Sequence, residues 1–191
     1  RLEVEPSFGS LRYMTLIADY RKYFFLNPFT LAFRGMHYGR YLEDAESERL
    51  TELFLGYTTW VRGYASGSFD ATECSNQECI EFNRLVGSRV GIVNAEFRVP
   101  LFGSEQFGLI NFPYLPTEFL AFVDGGVAWT STDEPTWEFA RESSERIPVF
   151  STGLAARINL FGYLVGQIYY AYPFQRPEKG AHFGFTISPG W

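Results

Sequence analysis

The 191 residues (21.9 kDa) carry 36 aromatic side chains, two cysteines and a net charge of −6, with a pI near 5.0. So many rings exclude a disordered chain, and two cysteines exclude a disulfide-dense scaffold; of 16 cations only two are lysines, so no basic stripe faces a nucleic acid. No stretch approaches the roughly 18 uninterrupted apolar residues of a spanning helix. A mean hydropathy of −0.10 suits a soluble fold and a transmembrane β-barrel equally, because barrel strands alternate apolar and polar residues.

Gly, Pro, Asn and Ser breaks divide the chain into eight strand candidates and no convincing helix. In order they are Leu2 to Phe8, Tyr13 to Phe25, Phe29 to Leu42, Gly87 to Pro100, Glu118 to Trp129, Val149 to Asn159, Tyr163 to Tyr172 and Ala181 to Trp191. They exceed the usual strand of about 5 to 6 residues, and several reach the roughly 9 to 11 that cross a bilayer at a tilt.

Between the third and fourth candidates, Glu43 to Arg84 holds nine acids and three arginines, and therefore the whole net charge of −6. With both cysteines and clustered Ser, Gly and Thr, it reads as a long exposed loop. The other connections alternate. Asn27-Pro28 and Asn159 to Gly162 are tight, whereas 130–148 and 173–180 are long and polar. Short turns at one rim and long loops at the other are the pattern of an outer-membrane barrel. Leu101 to Thr117 breaks it: apolar and Pro-rich, this segment suits a membrane interface better than water.

The last candidate alternates most clearly. Phe183, Phe185, Ile187 and Trp191 share one face, and His182, Gly184, Thr186, Ser188 and Gly190 the other. Val149 to Ile158 repeats the pattern. Lipid outside and a crowded aqueous lumen inside produce such faces; a soluble sandwich with one wet face also produces period-two alternation. Trp191 and the run Tyr169 to Tyr172 fall where strands meet a membrane interface.

Four ordered motifs carry a family resemblance: Val61-Arg62-Gly63-Tyr64; Gly87-Ser88-Arg89 running to Asn94-Ala95-Glu96-Phe97 and Pro100-Leu101; Phe122-Val123-Asp124-Gly125-Gly126-Val127-Ala128-Trp129; and a last strand ending at Trp191. Across nearly the whole chain they resemble the C-terminal barrel half of the BamA/TamA-type outer-membrane assembly and translocation superfamily, also called bacterial surface antigens. The resemblance implies a 16-stranded antiparallel barrel whose sixth extracellular loop folds back into the lumen, where its tip arginine meets acids on the two following strands. Here the arginine is Arg62 and the acids are Glu96 and Asp124. Strand phase puts Glu96 on the face of Asn94 and Arg98, and Asp124 opposite Phe119, Ala121 and Val123, so both acids point inward. A guanidinium bonds bidentately to a carboxylate, and Gly63 beside it permits a tight turn.

The expected fold is thus an all-β, transmembrane antiparallel barrel with about eight strands in this chain. It is either an eight-stranded tube or, favoured by a 42-residue loop too bulky for so narrow a lumen, half of a larger barrel completed by a second copy or another chain. It forms a single domain without the family's periplasmic repeats. Arg34, Arg40, Asp19 and Arg21 are candidate lumen charges, and Cys74 with Cys79, spaced C-x4-C, is a candidate disulfide in an oxidising exterior. Two distant histidines, His37 and His182, leave zinc without a ligand set, and no Ser, His and Asp arrangement suggests catalysis. No cofactor or enzyme activity is expected.

The resemblance implies a bacterial outer-membrane protein in contact with lipid, and two functions stay open. One inserts or translocates client proteins through a lateral seam and lumen, with the final strand (Phe183, Phe185, Ile187, Trp191) as one side of the seam and as its own assembly signal. The other is a passive pore component plugged by its loop.

Overall fold

The computed structural model describes residues 1–70, 73, 79–106, 108–143, 145–160 and 162–189. Eight long strands match the eight candidates closely: β1 (Leu2–Ser7), β2 (Tyr13–Leu26), β3 (Phe29–Tyr41), β6 (Arg89–Gly103), β8 (Thr117–Trp129), β9 (Val149–Leu160), β10 (Leu164–Pro173) and β11 (His182–Pro189). Three two-residue strands were not anticipated: β4 (Leu53–Phe54), β5 (Val86–Gly87) and β7 (Ile110–Asn111). A 3-10 turn at Ser66–Ser68 and a one-turn helix α1 (Ile80–Asn83) correct the expectation of no helix, both being too short for helical periodicity to register. Trp191 and Cys74 lie outside the described residues.

The long strands form one antiparallel sheet in the order β1-β2-β3-β6-β8-β9-β10-β11, so each pairs with its neighbour in the chain once the loop elements are set aside. Among the described residues β1 and β11 do not pair with each other, and they stand at the two ends of an open order. The sheet is nevertheless curled. A cavity of about 310 Å³ is lined by Arg21 and Tyr23 of β2 and also by Thr186 and Ser188 of β11, although five strands separate β2 from β11 in the order.

Alternation gives the sheet two unlike faces. One carries Arg34, Asn94, Glu96, Asp124, Ser151, Arg157 and Gln167; Asp124 and Ser151 are fully buried, and the rest are covered at least in part. The other carries Phe33, Val93, Phe97, Phe119, Val123, Leu154, Ile168, Tyr170, Phe183, Phe185 and Ile187, and these are exposed, Leu154 at 65% and Phe183 at 75%. The polarity of a soluble sandwich is inverted here: charge is covered and apolar surface is bare.

The described residues between 42 and 88 cover the charged face. The prediction of a solvated loop is corrected here, because Leu55, Val61, Tyr64 and Leu85 are fully buried and form the larger core cluster with Val90, Ile92, Ala128 and Val149 of the sheet. Its acids had masked a spaced set of apolar residues, each of which contributes roughly 1.5 to 3 kcal/mol when buried. β4 pairs with β5, folding the segment back on itself.

The apolar segment after β6 runs back along it, β7 pairing in parallel with Phe102 and Gly103. Leu109, Ile110, Phe112 and Tyr114 are left exposed there. The Tyr169 to Tyr172 run is divided between the two faces of the sheet. Alternation turns Tyr169 onto the covered face, where it is 2% exposed, and leaves Tyr170 on the bare face.

Candidate functional site: two arginine anchors under the loop

The tip of the covering loop reaches the sheet at Asp124. Arg62 donates from Nε to Asp124 Oδ2 and from Nη2 to Oδ1, each at 2.7 Å, and its backbone N–H donates to Oδ2 at 3.1 Å. Arg62 Nη2 also lies 2.9 Å from Glu96 Oε1. Asn94 on β6 faces Asp124 across the β6–β8 ladder and donates from Nδ2 to Asp124 Oδ1 at 2.9 Å and to the Trp60 carbonyl at 2.7 Å. Below the guanidinium, the Phe122 ring stacks at 3.7 Å from Cζ. The structure thus brings Arg62, Glu96 and Asp124 together, and gives a role as partners to Asn94 and Phe122, which the motifs contain without one.

Local backbone explains how the tip fits. Gly63 has φ +90°, a left-handed conformation that glycine adopts without penalty, and it lies against Ala171 and Pro173. On β8, a Cβ at Gly126 would stand 2.7 Å from Leu55 Cδ1 and 2.9 Å from Val61 Cγ2, so the bare glycine is what admits the loop to the sheet. Val61 is fully buried there. Tyr64 is fully buried too: its hydroxyl lies 2.9 Å from the Phe150 carbonyl and accepts from the Gln175 backbone N–H at 3.1 Å. Burial pushes the Tyr64 phenol well above its ordinary value, so it remains neutral.

A second anchor lies behind the first. Arg176, in the connection from β10 to β11, is fully buried and forms a fork to Glu73, Nε to Oε2 and Nη2 to Oε1 at 2.7 Å each. It also donates to the Gly63 carbonyl at 2.6 Å, to Ser68 Oγ at 2.9 Å and to the Ser68 carbonyl at 2.8 Å, over the Phe69 ring. Burial works to raise Glu73, but the Arg176 and Asp70 hydrogen bonds and the Arg176 charge outweigh it and hold the carboxyl below 4.5. Nothing in the spacing pointed to this pair, because 103 positions separate its members. The only sequence signal was a lone arginine between Gln175 and Pro177 in a polar connection.

A third contact ties the root of the loop to the connection after β8. Glu46 accepts from Ser88 Oγ and the Ser131 backbone N–H at 2.6 Å and from Ser131 Oγ at 2.7 Å.

The other singled-out charges also find places. Asp19 accepts forks from Arg34 and Arg21, while Arg40 donates to the Thr51 carbonyl at 2.7 Å. Cys79 precedes α1, and its candidate partner Cys74 is outside the described residues. Phe183, Phe185 and Ile187 face outward from β11. Among the described residues no group of three or more His, Cys, Asp or Glu side chains could hold a metal ion. Comparison with protein-family models, with curated proteins and with solved structures returned no match.

Proposed function

We propose that the chain is part of an outer-membrane β-barrel of the assembly and translocation type, with its bare face in lipid and its covering loop folded into the lumen. The observation that carries the membrane reading is the inverted polarity of the sheet. Strands of 10 to 15 residues, β1 and β11 apart, expose apolar residues on one face and hide arginines and carboxylates on the other. An uncovered apolar surface of this extent is rare in soluble monomers, whereas lipid satisfies it without cost.

The assembly reading is supported by the tip of the loop. An arginine flanked by valine, glycine and tyrosine meets carboxylates on β6 and β8, the arrangement that the family resemblance implies. It is further supported by the edge of β11, which lacks a second neighbour among the described residues and offers backbone groups to an incoming strand. Open edges are not tolerated in lipid, so in the membrane β1 and β11 pair with each other or with further strands. The eight strands form an even antiparallel set, so β1 and β11 run oppositely, as a closing antiparallel seam requires.

A passive, plugged pore is the second reading, favoured by the two buried arginine anchors that hold the loop. Cysteine crosslinking separates the two. A stalled client strand crosslinks to cysteines at Thr186 or Ser188 if β11 is one side of a working seam, and never does so if the chain is a passive component.

A further inference from the structure

The cavity enclosed by the curled sheet and the loop is cationic in a chain that is acidic as a whole. Among the described residues five arginines line it, Arg21, Arg34, Arg62, Arg98 and Arg157, against one lining acid, Glu96. Asp19 neutralises part of the Arg21 and Arg34 pair, and Asp124 neutralises Arg62. Glu96 is then left to serve Arg62, Arg98 and Arg157 together. With Asp19 and Asp124 counted, five guanidiniums face three carboxylates; Glu118, at the rim and 3.7 Å from Arg157, lowers the excess from two to one.

Arg157 is the least satisfied of the set. Its Nε and Nη2 donate to the neutral Gln167 Oε1 at 3.2 and 2.9 Å, and its contacts to Glu96 are long, at 3.5 Å. Arg98 uses Nε and Nη2 on the single oxygen Glu96 Oε2. Both side chains are about four-fifths covered, at 23% and 21% exposure, where a missing counter-charge is felt more strongly than at a surface. The hydroxyl-bearing Thr186 and Ser188 line the same space.

We propose that Arg98 and Arg157, with Thr186 and Ser188, form a binding site for an oxyanion group, a carboxylate or a phosphate. The planar fork of a guanidinium fits both groups, and an excess of positive charge in a covered cavity favours their entry. Binding here does not depend on client insertion, so its test stands apart from the seam experiment.

The full chain in an uncharged detergent is titrated calorimetrically at constant ionic strength with inorganic phosphate and, separately, with a capped tetra-aspartate peptide. Saturable binding of at least one is expected. Phosphate alone identifies a free small anion, and the peptide alone identifies a chain-borne carboxylate. Arg157→Gln is expected to weaken binding at least tenfold and Arg98→Gln/Arg157→Gln to abolish it. Arg141→Gln, an equal change of charge in the loop after β8, should leave binding within twofold. If Arg157→Gln loses the loop's resistance to protease, Arg157→Lys replaces it, and the lost fork should still weaken binding several-fold. Absence of saturable binding to either probe overturns the proposal. Wild-type affinity in the Arg157 variants, or equal weakening by Arg141→Gln, overturns it as well.

Discussion

Arg62 and Asp124 are joined three times over: two guanidinium bonds at 2.7 Å and one from the Arg62 backbone N–H at 3.1 Å all end on one carboxylate. A single acid on β8 therefore fixes the orientation of the loop tip as well as its position. Because Asp124 is fully buried and Arg62 is 4% exposed, removing either leaves its partner without solvent to replace it.

Asp124→Asn keeps the shape of the acceptor and removes its charge. Breaking a buried pair in this way costs about 3 to 5 kcal/mol, and Glu96 at 2.9 Å recovers part of it. Cleavage within residues 43–84 by added protease should speed up by roughly a hundredfold, since about 1.4 kcal/mol corresponds to a factor of ten. An unchanged cleavage rate would show that the pair does not hold the loop.

Arg176→Lys tests the second anchor. A lysine keeps the charge but cannot serve Glu73, the Gly63 carbonyl and Ser68 at once. Amide hydrogen exchange across Gly63 to Phe69 should accelerate, while exchange in β8 and β9 stays as in wild type. Uniform acceleration across the sheet would instead mean that Arg176 supports the fold as a whole.

Gly126→Ala places a Cβ where Leu55 and Val61 now pack, at 2.7 and 2.9 Å. The loop must shift to accommodate it, at a cost of about 1 to 3 kcal/mol for overpacking. Faster proteolysis of 43–84 with unchanged strand content by circular dichroism is the expected result.

Acidification should release the loop before it affects the sheet. Glu73 sits below its ordinary value of 4.5, so its stabilising contribution is complete above that pH and fades as the pH falls through the lowered value. Glu46 behaves alike: burial opposes the shift, and the Ser88 and Ser131 hydrogen bonds prevail. Protease resistance of the loop should therefore hold from neutrality to about pH 4.5 and decline below it, and Glu73→Gln should flatten that decline while lowering resistance at pH 7.

Arg84 offers a test of the opposite sign. It is 4% exposed, and among the described residues its guanidinium donates to the Ser143 carbonyl alone, with Nε and Nη1 finding no partner there. Burial lowers its pKa, the sign of a charge held at a cost. Arg84→Met, similar in length and apolar, should leave thermal stability unchanged or raise it.

Period-two alternation made the strands legible, because the long strands have unlike faces and most of them end at or next to Gly, Pro, Asn or Ser. The phases of Glu96 and Asp124 followed from the same alternation. The loop was harder to read. Its buried residues Leu55, Val61, Tyr64 and Leu85 share no regular period, and its acids gave the appearance of a solvated segment. The Glu73–Arg176 anchor spans most of the chain and depends on where two connections meet in space, which no local pattern encodes. Tyr169 shows the same limit on a smaller scale: it and its neighbour Tyr170 are alike in sequence, and the pleat puts one on the covered face and the other on the bare face.

The central claim is that the bare face of the sheet contacts lipid. Nitroxide labels at Leu154 and Phe185, in the full chain reconstituted into phospholipid bilayers, measure this by relaxation with oxygen, which partitions into lipid, and with a water-soluble nickel chelate. The account predicts strong relaxation by oxygen and little by nickel at both sites; relaxation dominated by nickel would place that face in water and contradict it.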